Sequence, residues 1–176
     1  MDYEGKKPKR PHLAWLFGAT LVVALVAPAA AQVRSISPPP PELDTTWRRL
    51  QRTGLAGTWA LSCGDPASPG NWIVTFFSQD GTSARVRTDR GSSDGAAWSA
   101  VESVNPISVT LIGVALRYDD PRWGPLNGQG NRMIYEIANR RLQTREAVND
   151  RGEVWIKDSL VVATGRAAQI LERCGD

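Results

Sequence analysis

The side chains best suited to acid–base, nucleophilic or metal chemistry are scarce in this chain. The sole histidine is His12. It lies inside an N-terminal stretch with the form of an export leader: Lys6, Lys7, Lys9 and Arg10, then an apolar run over residues 13–27, then Ala29, Ala30 and Ala31 before a cleavage point. Removal of residues 1–31 would leave no histidine, and so neither a Ser-His-Asp nor a Cys-His arrangement. It would also remove the commonest ligand of zinc, copper and iron. Carboxylate-only mechanisms and a Ser-Lys pair through Lys157, the one lysine beyond the leader, stay open. No spacing favours them. The expectation is a protein that is not an enzyme, with no catalytic residue, no cofactor and no metal.

The two cysteines, Cys63 and Cys174, carry the other chemistry. The apolar run is short for a membrane span and ends at Pro28, which fits a cleaved leader and leaves no stable membrane span. The expected destination is the periplasm or the outside medium, where a cysteine pair becomes a disulfide. The wide separation argues for a structural Cys63–Cys174 bond and against a reactive pair of the Cys-x-x-Cys kind. Such a bond would close a loop of about 110 residues.

Charge narrows the partners. The whole chain holds 21 Lys+Arg against 18 Asp+Glu, but the leader takes four of the basic residues and two of the acidic ones. What remains is nearly neutral, so the pI of about 9.1 gives no support to a nucleic-acid partner.

Residues 119–130 (Asp119-Asp120-Pro121-Arg122-Trp123-Gly124-Pro125-Leu126-Asn127-Gly128-Gln129-Gly130) form the most distinctive loop. It is long for a hairpin connection, and long loops in compact domains tend to be functional or disordered; its prolines and Trp123 argue for order. An indole in a Gly/Pro-rich loop has little core to fill, which makes Trp123 the first candidate for touching a ligand or partner, with Arg122 beside it. Tyr118, Tyr135 and Trp72 are further candidates to line a pocket or guard its mouth, as are Phe76, Trp98 and Trp155, the alternative for each being a place in the core. A calcium site from Asp119, Asp120 and Asn127 lacks the alternate spacing of calcium loops. The two aspartates are expected to cap a turn and to pair with Arg122 or Arg117.

These residues must be positioned by a β framework. Residues 32–42 include four consecutive prolines, Pro38 to Pro41, and read as an extended spacer. Residues 43–52 fit one short helix, capped by Asp44 or Thr45, with Leu43, Trp47 and Leu50 on one face and Gly54 past its end. From there the pattern is β: strands over 57–63, 71–78, 83–89, 97–104, 107–118, 131–138, 141–149 and 153–157, with a further short segment at 160–163 and a tail over 170–174. Asp80-Gly81 and Asp150-Arg151-Gly152 mark turns. In residues 83–89, Ala84, Val86 and Thr88 alternate with Arg85 and Arg87, the pattern of a strand with one wet face. Residues 107–118, apolar on both faces through Leu116, imply cover on both sides, the outer one supplied by the helix. Residues 43–176 therefore read as one all-β domain: a single up-and-down antiparallel barrel of about eight strands with a short N-terminal helix, a β-sandwich being the alternative.

The stretch Leu55-Ala56-Gly57-Thr58-Trp59-Ala60-Leu61-Ser62-Cys63 organises that barrel. Gly57-x-Trp59 after a short helix, heading an eight-strand meander, resembles the opening motif of the lipocalins and the wider calycin superfamily. The family's second motif, a Thr-Asp-Tyr loop between later strands, is absent. The resemblance implies that Gly57 and Trp59 are structural, with Trp59 packed across the closed end under an arginine or lysine from near the last strand, here Arg166 or Lys157. It further implies an exported, lipocalin-like protein that binds a small apolar or amphipathic ligand. Small exported barrels that inhibit bacterial metalloproteases open on a similar tryptophan-bearing strand. The alternative is thus a secreted inhibitor or interaction module that acts on a protein partner, a protease or lysozyme, through the 119–130 loop. Interior volume separates the two, since a ligand needs an open apolar cavity of about 300 Å³ or more.

Overall fold

The computed structural model describes residues 44–175. The expected leader (1–31), the proline-rich spacer (32–42) and Leu43 lie outside them. Helix α1 spans Thr46–Arg52. Thr45, the second of the two expected caps, accepts a hydrogen bond from the Arg48 N–H at 3.3 Å. Asp44 instead pairs with Arg49 and Arg52. Leu50 is fully buried, and its carbonyl takes the N–H groups of both Leu55 and Ala56, which turns the chain off the helix and into the sheet.

Ten strands follow: β1 Gly57–Ala60, β2 Ile73–Phe77, β3 Arg85–Asp89, β4 Ala97–Pro106, β5 Leu111–Tyr118, β6 Gly130–Ala138, β7 Arg141–Asn149, β8 Val154–Lys157, β9 Leu160–Val161 and β10 Ile170–Cys174. β1 to β7 pair antiparallel in sequence order, β10 pairs with β7 and with β1, and the sheet closes as an eight-stranded antiparallel barrel. β8 and β9 form a ribbon that continues from the far half of β7 and stays outside the closed ring. The segment that reads as a tail is therefore the closing strand, and the expected eighth strand is a side ribbon. Among the described residues no helix is long and apolar enough to cross a membrane.

Side-chain alternation fills the barrel. Ala84, Val86 and Thr88 point inward as expected, and so do Ile112, Val114, Leu116 and Tyr118 from β5. Register shifts in β4–β5, at Val101/Ser103, and in β6–β7, at Ile134/Tyr135, mark bulges of the kind that bend strands into a closed sheet. Trp59, Phe76, Val104, Ile112, Tyr135 and Leu142 meet in one core cluster with Leu50 and Leu55.

Two expectations about β5 are corrected. It begins at Leu111, because Pro106 ends β4 and Ser108 builds a turn: its Oγ accepts from the N–H groups of Thr110 and Leu111. Nor does α1 cover its outer face. The helix is tied to Thr82 and to the Val104 carbonyl, across one end of the barrel, with Trp47 and Leu50 turned toward the core. The outer face of β5 carries the small residues Gly113 and Ala115, which need little cover.

β1 is also shorter than expected. After Ala60 the chain turns, with the Ser62 N–H held by Asn71 Oδ1 at 2.9 Å. In register Cys174 lies opposite Thr58, so this turn is what brings Cys63 within 5.4 Å of Cys174, Cα to Cα, in the expected disulfide.

Candidate functional site at the barrel mouth

The two ends of the barrel are built differently. At the closed end Trp59 is fully buried and donates its indole N–H to the Leu55 carbonyl at 2.9 Å. The Arg173 guanidinium lies over the Trp59 ring, 5.4 Å from its centroid, and donates to the carbonyls of Gly54 (2.8 Å) and Ala56 (2.9 Å). The cation expected at this place was Arg166 or Lys157. Both belong to segments outside the closed ring, whereas Arg173 stands opposite Trp59 in the β10–β1 register. Gly57 has φ +122°, and a Cβ there would come 3.3 Å from the Arg173 guanidinium. The Trp59 indole N–H and both of these Arg173 nitrogens are spent on the fold.

The opposite end carries the loops 61–72, 90–96 and 119–129 together with the β8–β9 ribbon. In the last of these loops residues Pro121–Leu126 form a 3-10 helix capped by Asp120. Asp120 is 5 % exposed, and its Oδ1 accepts from both the N–H and the Nε of Arg122 at 2.9 Å. Burial opposes ionisation of this carboxyl. The hydrogen bonds from Arg122 and from the Trp98 backbone outweigh that cost and hold its pKa below the ordinary carboxylate value. Asp119 pairs with Arg85 at 2.7 Å, and Arg117 turns away to Glu102 and the Gly128 carbonyl. The expected turn cap and the Arg122 pairing thus belong to Asp120, while the partner of Asp119 comes from β3.

Capping by Asp120 aims Trp123 across the mouth. Its indole N–H donates to the Trp98 carbonyl at 2.6 Å, and its ring lies 4.6 Å from that of Tyr118. On the other side of Tyr118, Trp155 from β8 stacks at 6.5 Å with an interplanar angle of 22°. The Arg90 guanidinium lies 4.9 Å from the Trp123 ring and 6.0 Å from that of Trp72, and donates to the Arg122 carbonyl at 3.3 Å. The result is a continuous pile, Trp72, Arg90, Trp123, Tyr118, Trp155, drawn from four separate stretches of chain. Each contact in it is of the kind that adds about 0.5–1.5 kcal/mol beyond area burial. Trp72 ends the pile 41 % exposed, while Tyr118 is buried.

Four of the five candidate binding residues, Trp123, Arg122, Tyr118 and Trp72, are thereby brought together. Tyr135 is placed elsewhere: it is buried in the core, edge-on to Phe76 at 5.9 Å, with its hydroxyl donating to Met133 Sδ. Burial raises its pKa, as it does that of Tyr118. Arg90 had no signal in the sequence, because an arginine at the edge of a Gly/Ser loop reads as a solvated charge. Asn131 was equally silent. It is 2 % exposed, donates from Nδ2 to the Tyr118 hydroxyl at 2.8 Å, and leaves its Oδ1 without a hydrogen-bond partner.

Two surface depressions stand out, and neither enters the barrel. One, of about 480 Å³, lies between α1 and the β4–β5 turn and is lined by Arg49, Arg52 and Val109 among others. The second, of about 360 Å³, follows the outer wall over Gly113, Ala115 and Ile134. The interior carries instead the buried side chains of the core cluster, from Leu50 to Leu142. No protein-family model, curated protein or solved structure matches this chain.

Proposed function

We propose that this chain is an exported, non-enzymatic interaction module that presents the mouth of its barrel, the 119–130 loop foremost, to a protein partner, in the manner of an inhibitor of a protease or lysozyme. The observation that carries this reading is the contrast between the two halves of the molecule. The interior carries one cluster of buried side chains, whereas the mouth displays aromatic and arginine side chains ending in the half-exposed Trp72. Tryptophan, tyrosine and arginine are the residues on which interfaces concentrate their binding energy. Export is supported by the Cys63–Cys174 disulfide. Kinship with lipocalin-like barrels is supported by the closed eight-strand ring and by Arg173 lying over the tryptophan of Gly57-x-Trp59.

A small ligand inside the barrel is the second reading, favoured by one observation, the unpartnered Asn131 Oδ1 beneath Tyr118. Photo-crosslinking in the producing cell separates the two. A crosslinker at Pro125 should capture a protein, and one at Val109, at the closed end, should not. A co-purifying small molecule in native mass spectrometry, with no crosslink from Pro125, would overturn the interaction reading.

A further inference from the structure

We propose that the slot between Trp72 and Trp123 is a recognition site for a cationic side chain, an arginine or lysine of a protein partner, and that Arg90 fills it in the free protein and leaves it on binding. This rests on the reading of the mouth as the interaction face and names the chemistry of the group received there.

The slot already holds the group it is built for. Two indole faces address one guanidinium, at 4.9 and 6.0 Å, and ring faces attract cations through their quadrupole, tryptophan most strongly. What holds Arg90 there is chiefly the rings. Its hydrogen bond to the Arg122 carbonyl is long, at 3.3 Å, and no carboxylate of the described residues forms an ion pair with it. An incoming guanidinium can take over both kinds of contact, so exchange leaves no buried charge unpaired. Arg90 can leave without moving the scaffold. A Cβ on its neighbour Gly91 would sit 2.4 Å from the Ala67 carbonyl oxygen, so the base of the loop is pinned and only the side chain need rotate.

Access and field agree with this. Trp72 is 41 % exposed and opens the slot to solvent. The mouth loops 61–72, 90–96 and 119–129 hold more carboxylates than cations, Asp65, Asp94, Asp119 and Asp120 against Arg90 and Arg122, so a cationic group is drawn to this end. At the other end, α1 carries Arg48, Arg49 and Arg52.

The test needs no partner. N-methylguanidinium chloride is titrated into the wild type, Arg90→Ala, Arg90→Gln and the double variant Arg90→Ala/Trp72→Ala at constant ionic strength. Tryptophan fluorescence reports binding, and near-UV circular dichroism confirms the fold. Arg90→Ala and Arg90→Gln should bind saturably, with an apparent Kd at least tenfold below that of the wild type, and removal of Trp72 should restore the wild-type response. Should both emptied variants, still folded, respond no more strongly than the wild type, or should loss of Trp72 change nothing, the slot is a structural brace and the proposal fails. That failure would leave the crosslinking result standing. Absent crosslinks beside saturable cation binding would instead sink the interaction face alone.

Discussion

Arg173 and Trp59 face each other across the β10–β1 pairing, guanidinium over indole at 5.4 Å, and the same guanidinium binds two carbonyls of the turn that leads from α1 into β1. One side chain thus joins the last strand, the first strand and the helix that closes the end. Trp59→Ala should lower stability by about 3–5 kcal/mol, the usual cost of truncating a buried aromatic. Arg173→Lys should fall well short of rescuing Arg173→Ala, because an ammonium cannot lie flat on the ring and reach both carbonyls. Urea denaturation followed by circular dichroism measures both.

Gly57 is constrained from two directions, a backbone at φ +122° and the Arg173 guanidinium 3.3 Å from where a Cβ would stand. Gly57→Ala should therefore destabilise by about 1–3 kcal/mol. If so, Gly57→Ala in an Arg173→Ala background should cost less than it does alone, the backbone strain remaining after the clash is gone. A thermodynamic cycle of the four proteins checks that coupling.

Cys63 and Cys174 are separated by 111 positions, and their bond ties the turn after β1 to the end of the closing strand. In the chain-entropy model a loop of this size contributes about 4–5 kcal/mol. Reduction should lower the urea midpoint strongly. The Cys63→Ser/Cys174→Ser variant, with or without reductant, should match the reduced wild type.

How far the sequence carries can be judged at these same places. Val86 alternating with Arg85 and Arg87 announces one wet face, Asp80-Gly81 announces a turn, and Gly57-x-Trp59 announces the plugged end, because each signal is local. Closure is a long-range matter. Ile170–Cys174 contains Glu172 and Arg173 and reads as a polar tail, yet its arginine stands where the barrel needs a cation, while Lys157 and Arg166 sit in segments the ring passes by. The mouth divided in the same way. Trp123 was legible from the composition of its loop. The pairing of Arg90 with two indoles was not, since it depends on loops about 18 and 33 residues away arriving at one point.

Asp120 makes the mouth sensitive to acid. Its pKa is depressed in the folded protein, so its contribution to stability is complete above the ordinary aspartate value near 4 and is lost as pH falls through the lower folded value. Asp120→Asn removes the charge at every pH. The gap in unfolding free energy between wild type and Asp120→Asn should be widest above about pH 5 and should shrink steadily toward pH 2. A gap that stayed constant over this range would assign the effect of the substitution to lost packing.

Trp72 and Trp123 share one guanidinium but occupy different positions in the pile, which separates their expected behaviour. Trp72 ends it, 41 % exposed, so Trp72→Ala should cost only about 0.5–1 kcal/mol, the worth of one exposed cation–π contact. Trp123 is bonded through its indole N–H to the Trp98 carbonyl and packs on Tyr118. Trp123→Ala should thus cost about 1–2 kcal/mol and expose Tyr118. Trp123→Phe keeps an aromatic ring but loses the hydrogen bond and the second fused ring, so it should fall between the wild type and Trp123→Ala in melting temperature. Its tyrosine fluorescence should stay close to that of the wild type. Binding to a partner should weaken in all three, and most in Trp72→Ala relative to its small effect on stability, because a group that contributes little to the fold and much to the face is where an interaction surface shows itself.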